Sequence, residues 1–289
     1  MKNSNFQVRL LLLFIALLPI SCVNLKTVSS FSATSLKSLE NFEDINFSFG
    51  QFCTDRCQFE AIRKFEINKE MKCNCTVYES ADSVTLLIYS SLRGYFDGLT
   101  KIAAGDLTEY NFDALKKALN EGTFGAVTIS KEEVNAYTAI SKILLKVTTD
   151  IYRKNRIAKY IEEANPPVQV LLNKLGTIVH GNMEELMEFK KLANFTYSTQ
   201  FLDTMLYKDH LNHYEKAGIL RAYYQQNSEI ELQKKQIETF SKSLATIAQG
   251  HQKLFDNRNR LTATEVRELL IGYTSNLREI ETEINKLKK

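Results

Sequence analysis

Proline and glycine are scarce in this chain: three prolines and eleven glycines in 289 residues. That is too few to punctuate the many turns of an all-β protein, so the composition points to helices. A dominant charge is also missing, since 37 Lys and Arg face 34 Asp and Glu for a formal net charge of +3. Lys2 and Arg9 sit in a segment expected to be removed, which takes the mature body to +1 and argues against nucleic acid as a partner. No G-x-S-x-G, S-x-x-K, H-E-x-x-H, Walker loop or G-x-G-x-x-G occurs. No catalytic residue, cofactor or metal ligand is therefore assigned, and the chain is read as a non-enzyme. Internal repeats and low-complexity segments are absent as well.

What is present begins at the N-terminus. Lys2 and Arg9 precede the apolar run from Leu10 to Leu18, followed by Pro19, Ile20, Ser21 and Cys22. A basic start, a short apolar stretch and small residues near its end describe a secretory signal, and the run is too short to span a bilayer. Leu18-Pro19-Ile20-Ser21-Cys22 resembles the lipobox of bacterial lipoproteins, with Pro19 where that class usually carries leucine. The resemblance covers these residues only. It implies a signal peptide over 1–21 and lipidation of Cys22, which would fix the chain to a membrane through several acyl chains. Val23 is not the acidic residue that retains Gram-negative lipoproteins at the inner membrane, so the resemblance implies the outer membrane. The alternative is a secreted protein cut later, after Ser29, with Thr27 and Ser29 as the small pair. Residues 22–45, rich in Ser, Thr and Asn, read as a flexible tether before one helical domain over 46–289.

Four further cysteines, Cys53, Cys57, Cys73 and Cys75, lie in one short stretch. An even set in an exported chain reads as disulfides. Cys53 and Cys57 are one helical turn apart, about 6 Å. Cys73 and Cys75, if extended, are about 6.5 Å apart on one side. A hairpin-like return then favours Cys53–Cys75 outside and Cys57–Cys73 inside, the inner bridge contributing about 3 kcal/mol in the chain-entropy picture. A four-cysteine zinc site and a redox pair at Cys73-Asn74-Cys75 are the rivals, weakened by the compartment and by the lack of paired C-x-x-C spacing.

The body reads as an all-α bundle of long helices. Capping boxes are expected at Thr76/Glu79, Ser130/Glu133 and Thr262/Glu265. The first opens a helix that runs from Val77 to Ile102, and the second one that continues toward Ala164. Pro166-Pro167 is expected to end that helix and begin the next, dividing first helices (77–165) from middle helices (166–209). The C-terminal part, 210–289, is the clearest. Ile230, Gln233, Ile237, Phe240, Leu244, Ile247, His251 and Leu254 alternate spacings of three and four, and so do Val266 through Leu287. Two such coiled-coil-like seams joined by the polar turn 256–261 predict an antiparallel hairpin. Only Thr123–Ser130 suggests a short strand or loop.

Several sharper readings have plainer rivals. His210 and His213, with Asp209 and Glu215, could share a helix face and hold a metal, but two histidines without a third ligand read as solvated. His251 on the seam could sense pH, though a hydrogen-bonded core histidine explains it more simply. Lys253, Arg258 and Arg260 could bind an anion or lipid headgroup, or form a solvated loop. Gly94 and Gly98 suggest a close helix crossing. Asn46, Asn74 and Asn194 match N-x-Ser/Thr as chance would allow, and Tyr and Phe stripes read most simply as core, though aromatic faces could also bind an apolar ligand. The expected role is a non-catalytic interaction or scaffold protein of the cell envelope with a protein partner. The competing role is a binder of a small ligand between its helices.

Overall fold

The structure, a computed structural model, describes residues 25–64, 73–104, 117–147, 157–203 and 210–288. They are almost entirely helical, as the composition predicts. In chain order the elements are α1 (Lys26–Glu40), α2 (Phe49–Arg63), α3 (Thr76–Ala104), a hairpin of β1 (Gly122–Phe124) and β2 (Val127–Ile129), and α4 (Lys131–Val147). They continue with α5 (Ile157–Gly176), α6 (Glu184–Asp203), α7 (His213–Asp256) and α8 (Thr264–Leu287).

The architecture is built on α7. Its predicted seam is buried at Ile230, Ile237, Phe240, Leu244, Ile247, His251 and Leu254. After a short turn α8 returns antiparallel and buries Val266, Leu270, Leu277 and Ile284. On another side α5 and α6, joined by the π-helical turn Thr177–Met183, form one uninterrupted rod. Its register against α7 is held along the whole length. Asn165 Nδ2 donates to Gln252 Oε1 at 3.1 Å, Gln169 Nε2 to the Ala248 carbonyl at 2.9 Å, and Lys191 pairs with Glu231 at 2.5 Å. Two long rods in constant antiparallel register bury a continuous apolar strip, the arrangement expected of facing heptad seams.

The segment read as a flexible tether is instead a core helix. α1 buries Leu25, Val28, Phe31 and Leu39 among α3, α7 and α8. Its many small hydroxyl residues, which resemble a linker in sequence, are what lets it fit between three neighbours. Ser32, Ser35 and Ser38 are fully buried, and Ser32 Oγ donates to the Val28 carbonyl at 2.8 Å. The Phe31 ring occupies the space beside Gly250 of α7, where an added Cβ would stand 2.5 Å from it. The domain thus begins before residue 46.

Three further expectations change. α5 passes through Pro166 and Pro167 without ending. Each interior proline costs about 3 kcal/mol and the residue before it resists helical geometry. Burial of Ile161, Val168, Leu171 and Leu172 along the same face, at about 1.5–3 kcal/mol each, outweighs this. Asn165, the residue before the first proline, is buried and tied to α7 by its side chain. The helix expected to run from Ser130 to Ala164 is two, α4 and α5, with residues 148–156 outside the described ones. Of the capping boxes, Ser130 and Glu133 form theirs: the Ser130 N–H donates to Glu133 Oε2 at 2.9 Å and Ser130 Oγ accepts from the Glu132 N–H at 3.2 Å. α8 starts one residue later than expected, with Ala263 and not Thr262 at its N-cap and no side-chain cap. At α3 the Cys75 carbonyl accepts from the Tyr78 and Glu79 N–H groups, so Cys75 and not Thr76 stands at the helix start. A box that the sequence reading missed, Asn212 with Glu215, opens α7.

The hairpin fills the hinted strand region, with Gly125 in the left-handed region at φ 56° to make its turn. Gly94 packs against Leu144 of α4, the expected close crossing. We expect Gly250→Ala to lower stability by about 1–3 kcal/mol in urea denaturation, because overpacking against Phe31 exceeds the helix-propensity gain of about 1 kcal/mol. A rise in stability would mean that α1 does not seat there.

Candidate functional site

α7 outlasts the bundle that covers it. Among its residues the first buried one is Ile230, and His213–Glu229 bury none. At that level the rest of the fold stops: Gln233 Nε2 donates to the Asn46 carbonyl at 2.6 Å, and Lys288 beyond α8 pairs with Asp44 at 2.6 Å. Seventeen residues of helix therefore project by about 25 Å. The C-terminal half of α6 runs beside them, with Asn194 Nδ2 donating to the Tyr223 carbonyl at 3.2 Å. These two helices make an arm.

The arm is unusually apolar for a solvent-facing element. Of twelve large apolar side chains exposed among the described residues, four lie on it, Phe195, Tyr214, Leu220 and Tyr224, and three more, Phe189, Leu192 and Leu232, lie further along α6 and α7. Leu192 is 61%, Phe195 52% and Tyr224 66% exposed. Phe195 and Tyr223 meet edge-on across the two helices at 6.4 Å, and Tyr223 meets Tyr224 at 5.1 Å, so the aromatic surface is continuous from one helix to the other. Lys191 with Glu231 and Lys234 with Glu188 neutralise its inner rim. Their hydrogen bond holds Lys191 above and Glu231 below its ordinary pKa. Patches of this kind mark interaction sites. The sequence reading took Tyr and Phe stripes as core. The available signal was that the heptad seam starts only at Ile230, leaving upstream apolar residues without a partner stripe.

At the base of the arm stands α2, pinned by the two disulfides as paired from spacing. Cys53–Cys75 and Cys57–Cys73 span Cα distances of 5.7 and 6.0 Å. The Asp82 carboxylate takes the Phe49 and Gly50 N–H groups at 2.8 and 2.9 Å and the Ser48 hydroxyl at 2.8 Å, an anion at a helix N-terminus. Past Phe52 the helix buries nothing. The bridges hold it where apolar contact has run out. Its outer turns approach α6, with Asp55 3.2 Å from Lys190 and the Phe59 and Tyr197 rings 5.7 Å apart. Between α2, α6 and α7 lies a cleft of about 400 Å³ whose walls include Gln58, Phe59, Tyr197, Gln226 and Glu229. Asn194 also lines it, and its buried carboxamide oxygen has no hydrogen-bond partner among the described residues.

The most enclosed polar cluster lies at the opposite end of the bundle. His251 is fully buried. Tyr95 Oη stands 2.7 Å from its Nε2 and Asn165 Oδ1 2.9 Å from its Nδ1. Because Asn165 Nδ2 donates to Gln252 and Gln252 Nε2 donates to Asp256, the consistent assignment has Nδ1–H donating to Asn165 and Tyr95 donating to Nε2. Burial depresses the His251 pKa to about 3 and raises that of Tyr95. Both side chains are fully buried and their polar atoms satisfy one another, so the cluster is a packed, neutral network.

Other residues singled out from the sequence are not brought together. His210 precedes α7 and His213 is its first residue, so they share no helix face, and Asp209 lies outside the described residues. No group of three or more metal-binding side chains occurs among the described residues. Arg258 is engaged with Glu162 at 2.8 Å and stacks on Phe255 at 4.4 Å, Lys253 lies 3.9 Å from Asp256, and Arg260 is exposed. Asn194 is buried, which leaves no room for a glycan, while Asn46 and Asn74 are exposed. Cys22 lies outside the described residues, and no described helix is long and apolar enough to cross a membrane. Compared with models of protein families, with curated proteins and with solved structures, the chain matches none.

Neutral His251 gives stability a definite pH dependence. Its folded pKa of about 3 lies below the ordinary 6.5, so the unfolded chain binds the proton first. The contribution is complete above pH 6.5 and is lost as pH falls, by up to about 1.4 kcal/mol per unit. Urea denaturation at pH 7.5, 6.5, 5.5 and 4.5 should show this slope in the native chain and a flatter one in His251→Gln. Equal slopes would refute the assignment.

Proposed function

We propose that the chain is an exported, lipid-anchored protein of the cell envelope with a non-catalytic role: it holds the α6–α7 arm out to a protein partner. The exposed aromatic surface that links Phe195, Tyr223 and Tyr224 carries this reading. Its centre is apolar and its inner rim neutral, which suits a partner with an apolar or aromatic face rather than a polyanion.

The position of α1 supports anchoring at Cys22 over later cleavage. A cut after Ser29 would remove Leu25 and Val28, both core residues, and the first turn of a helix packed on three sides. A cut before Cys22 leaves the helix whole. Two disulfides fit an oxidising compartment, and the outer membrane follows from the lipobox resemblance alone. To test the arm, a photo-crosslinking side chain replaces Phe195 or, as a control on the exposed face of α8, Ile271, in the producing cells. The expected result is a discrete adduct from position 195 and none from 271. Its absence at 195 refutes the role of the arm.

The cleft at the base of α2 favours a second reading, a small polar ligand that donates to the unpartnered Asn194 oxygen and rests on Phe59 and Tyr197. Native mass spectrometry of protein from its own cells should then show a bound small molecule that Tyr197→Ala removes. A single unliganded mass would end this reading.

A further inference from the structure

We infer that the bundle stands on the membrane: the end that carries the α7–α8 turn rests on the bilayer, Arg260 meets lipid phosphates, and the arm points away. This rests on the lipid-anchored reading above and adds the orientation of the body and the surface that faces the lipid.

The argument starts from where α1 begins. Cys22 precedes the buried Leu25 by three residues, which can span at most about 10 Å. No tether separates anchor from body. α1 runs antiparallel to α7, with Phe31 beside Gly250 and the Phe42 and Phe240 rings 5.7 Å apart. That register places Leu25 level with Asp256, the last residue of α7. Ser29 Oγ, 3.5 Å from the Thr100 carbonyl, puts the C-terminal end of α3 there too, and Arg258 with Glu162 adds the first turns of α5. The anchor therefore leaves the body at the end farthest from the arm.

That end has the chemistry for phosphates. From Asn257 to Thr264 the turn contains Arg258 and Arg260, and Asp256 and Glu265 flank it on either side. Leu261 is buried and fixes the turn to the body. Around it Lys101 pairs with Asp97, Lys159 with Glu163, Lys253 with Asp256, and Arg258 with Glu162. Arg260 has no carboxylate partner among the described residues: its Nε donates to Asn257 Oδ1 at 3.0 Å and the rest of the guanidinium is exposed. Arg260, free of a carboxylate partner among the described residues and beside the anchor, complements a bilayer surface that bears phosphates. The 44 residues of α7 then separate turn from arm tip by about 65 Å.

The test uses the full chain purified from membranes. Intact mass first reads the acyl addition on the N-terminal cysteine. Asn259→Cys and Tyr214→Cys are then labelled with a dye and placed in vesicles of phosphatidylcholine and phosphatidylglycerol that carry a headgroup quencher. The expected result is loss of most fluorescence at position 259 and none at 214. Quenching at 214, or equal quenching at both, overturns the orientation even if the acyl mass is present. A chain without acyl mass that fails to float with the vesicles overturns the anchored reading and the orientation with it. Arg260→Glu in the Asn259→Cys chain should weaken quenching on these vesicles. Unchanged quenching would overturn the phosphate contact alone.

Discussion

The apolar strip of α7 is the constraint on which the rest depends. Three elements are placed by what they cover there: α8 by the seam from Val266 to Ile284, the α5–α6 rod by its constant register, and α1 in part by the gap beside Gly250, while α3 packs on α1 and α5, and α4 on α5. A strip buried at about 25 cal/mol per Å² can outweigh the two prolines in α5, whose local cost would otherwise end that helix. It also sets where the body stops. Once the strip ends at Ile230, nothing requires further helices to gather, and among the described residues α7 continues with α6 beside it and the outer turns of α2 at its base.

Two different means hold the molecule at its two ends. Near the α7–α8 turn the interior is closed by hydrogen bonds, with the buried histidine, tyrosine and amides of the His251 cluster satisfying one another. Such a network costs little while complete, and leaving any member unpaired would cost about 1–3 kcal/mol. Near the arm the interior thins out. There α2 has only Phe49, Gly50 and Phe52 in the core, and two disulfides together with the Asp82 anchor supply the order that burial cannot. Covalent bridges suit this place, because they constrain a helix without needing a second apolar face.

The proposed role builds on that asymmetry. A closed, inert end bears the exit of the N-terminus, and an open, aromatic end bears the only extended surface of its kind among the described residues. Taken with the anchored reading proposed above, this gives the body a direction: one end for lipid, the other for a partner. No cluster of nucleophile, base and donor competes with this picture among the described residues, and the strongly shifted tyrosines and histidine are explained by burial and by packing partners.

The sequence by itself determined the helical class, the C-terminal hairpin and the pairing of Cys53 with Cys75 and Cys57 with Cys73. Each of these rests on short-range periodicity: heptad spacing, a helical turn between two cysteines, two residues of extended chain between the others. Tertiary structure alone decided the rest. Serines in α1 are buried because three helices approach closely there, Asn165 tolerates the prolines because α7 holds its side chain, and Phe195 is exposed because the seam opposite it has ended. Local pattern reports which face of an element is apolar. Whether a neighbour arrives to cover that face depends on residues distant in the chain, and this is why the arm became legible only in three dimensions.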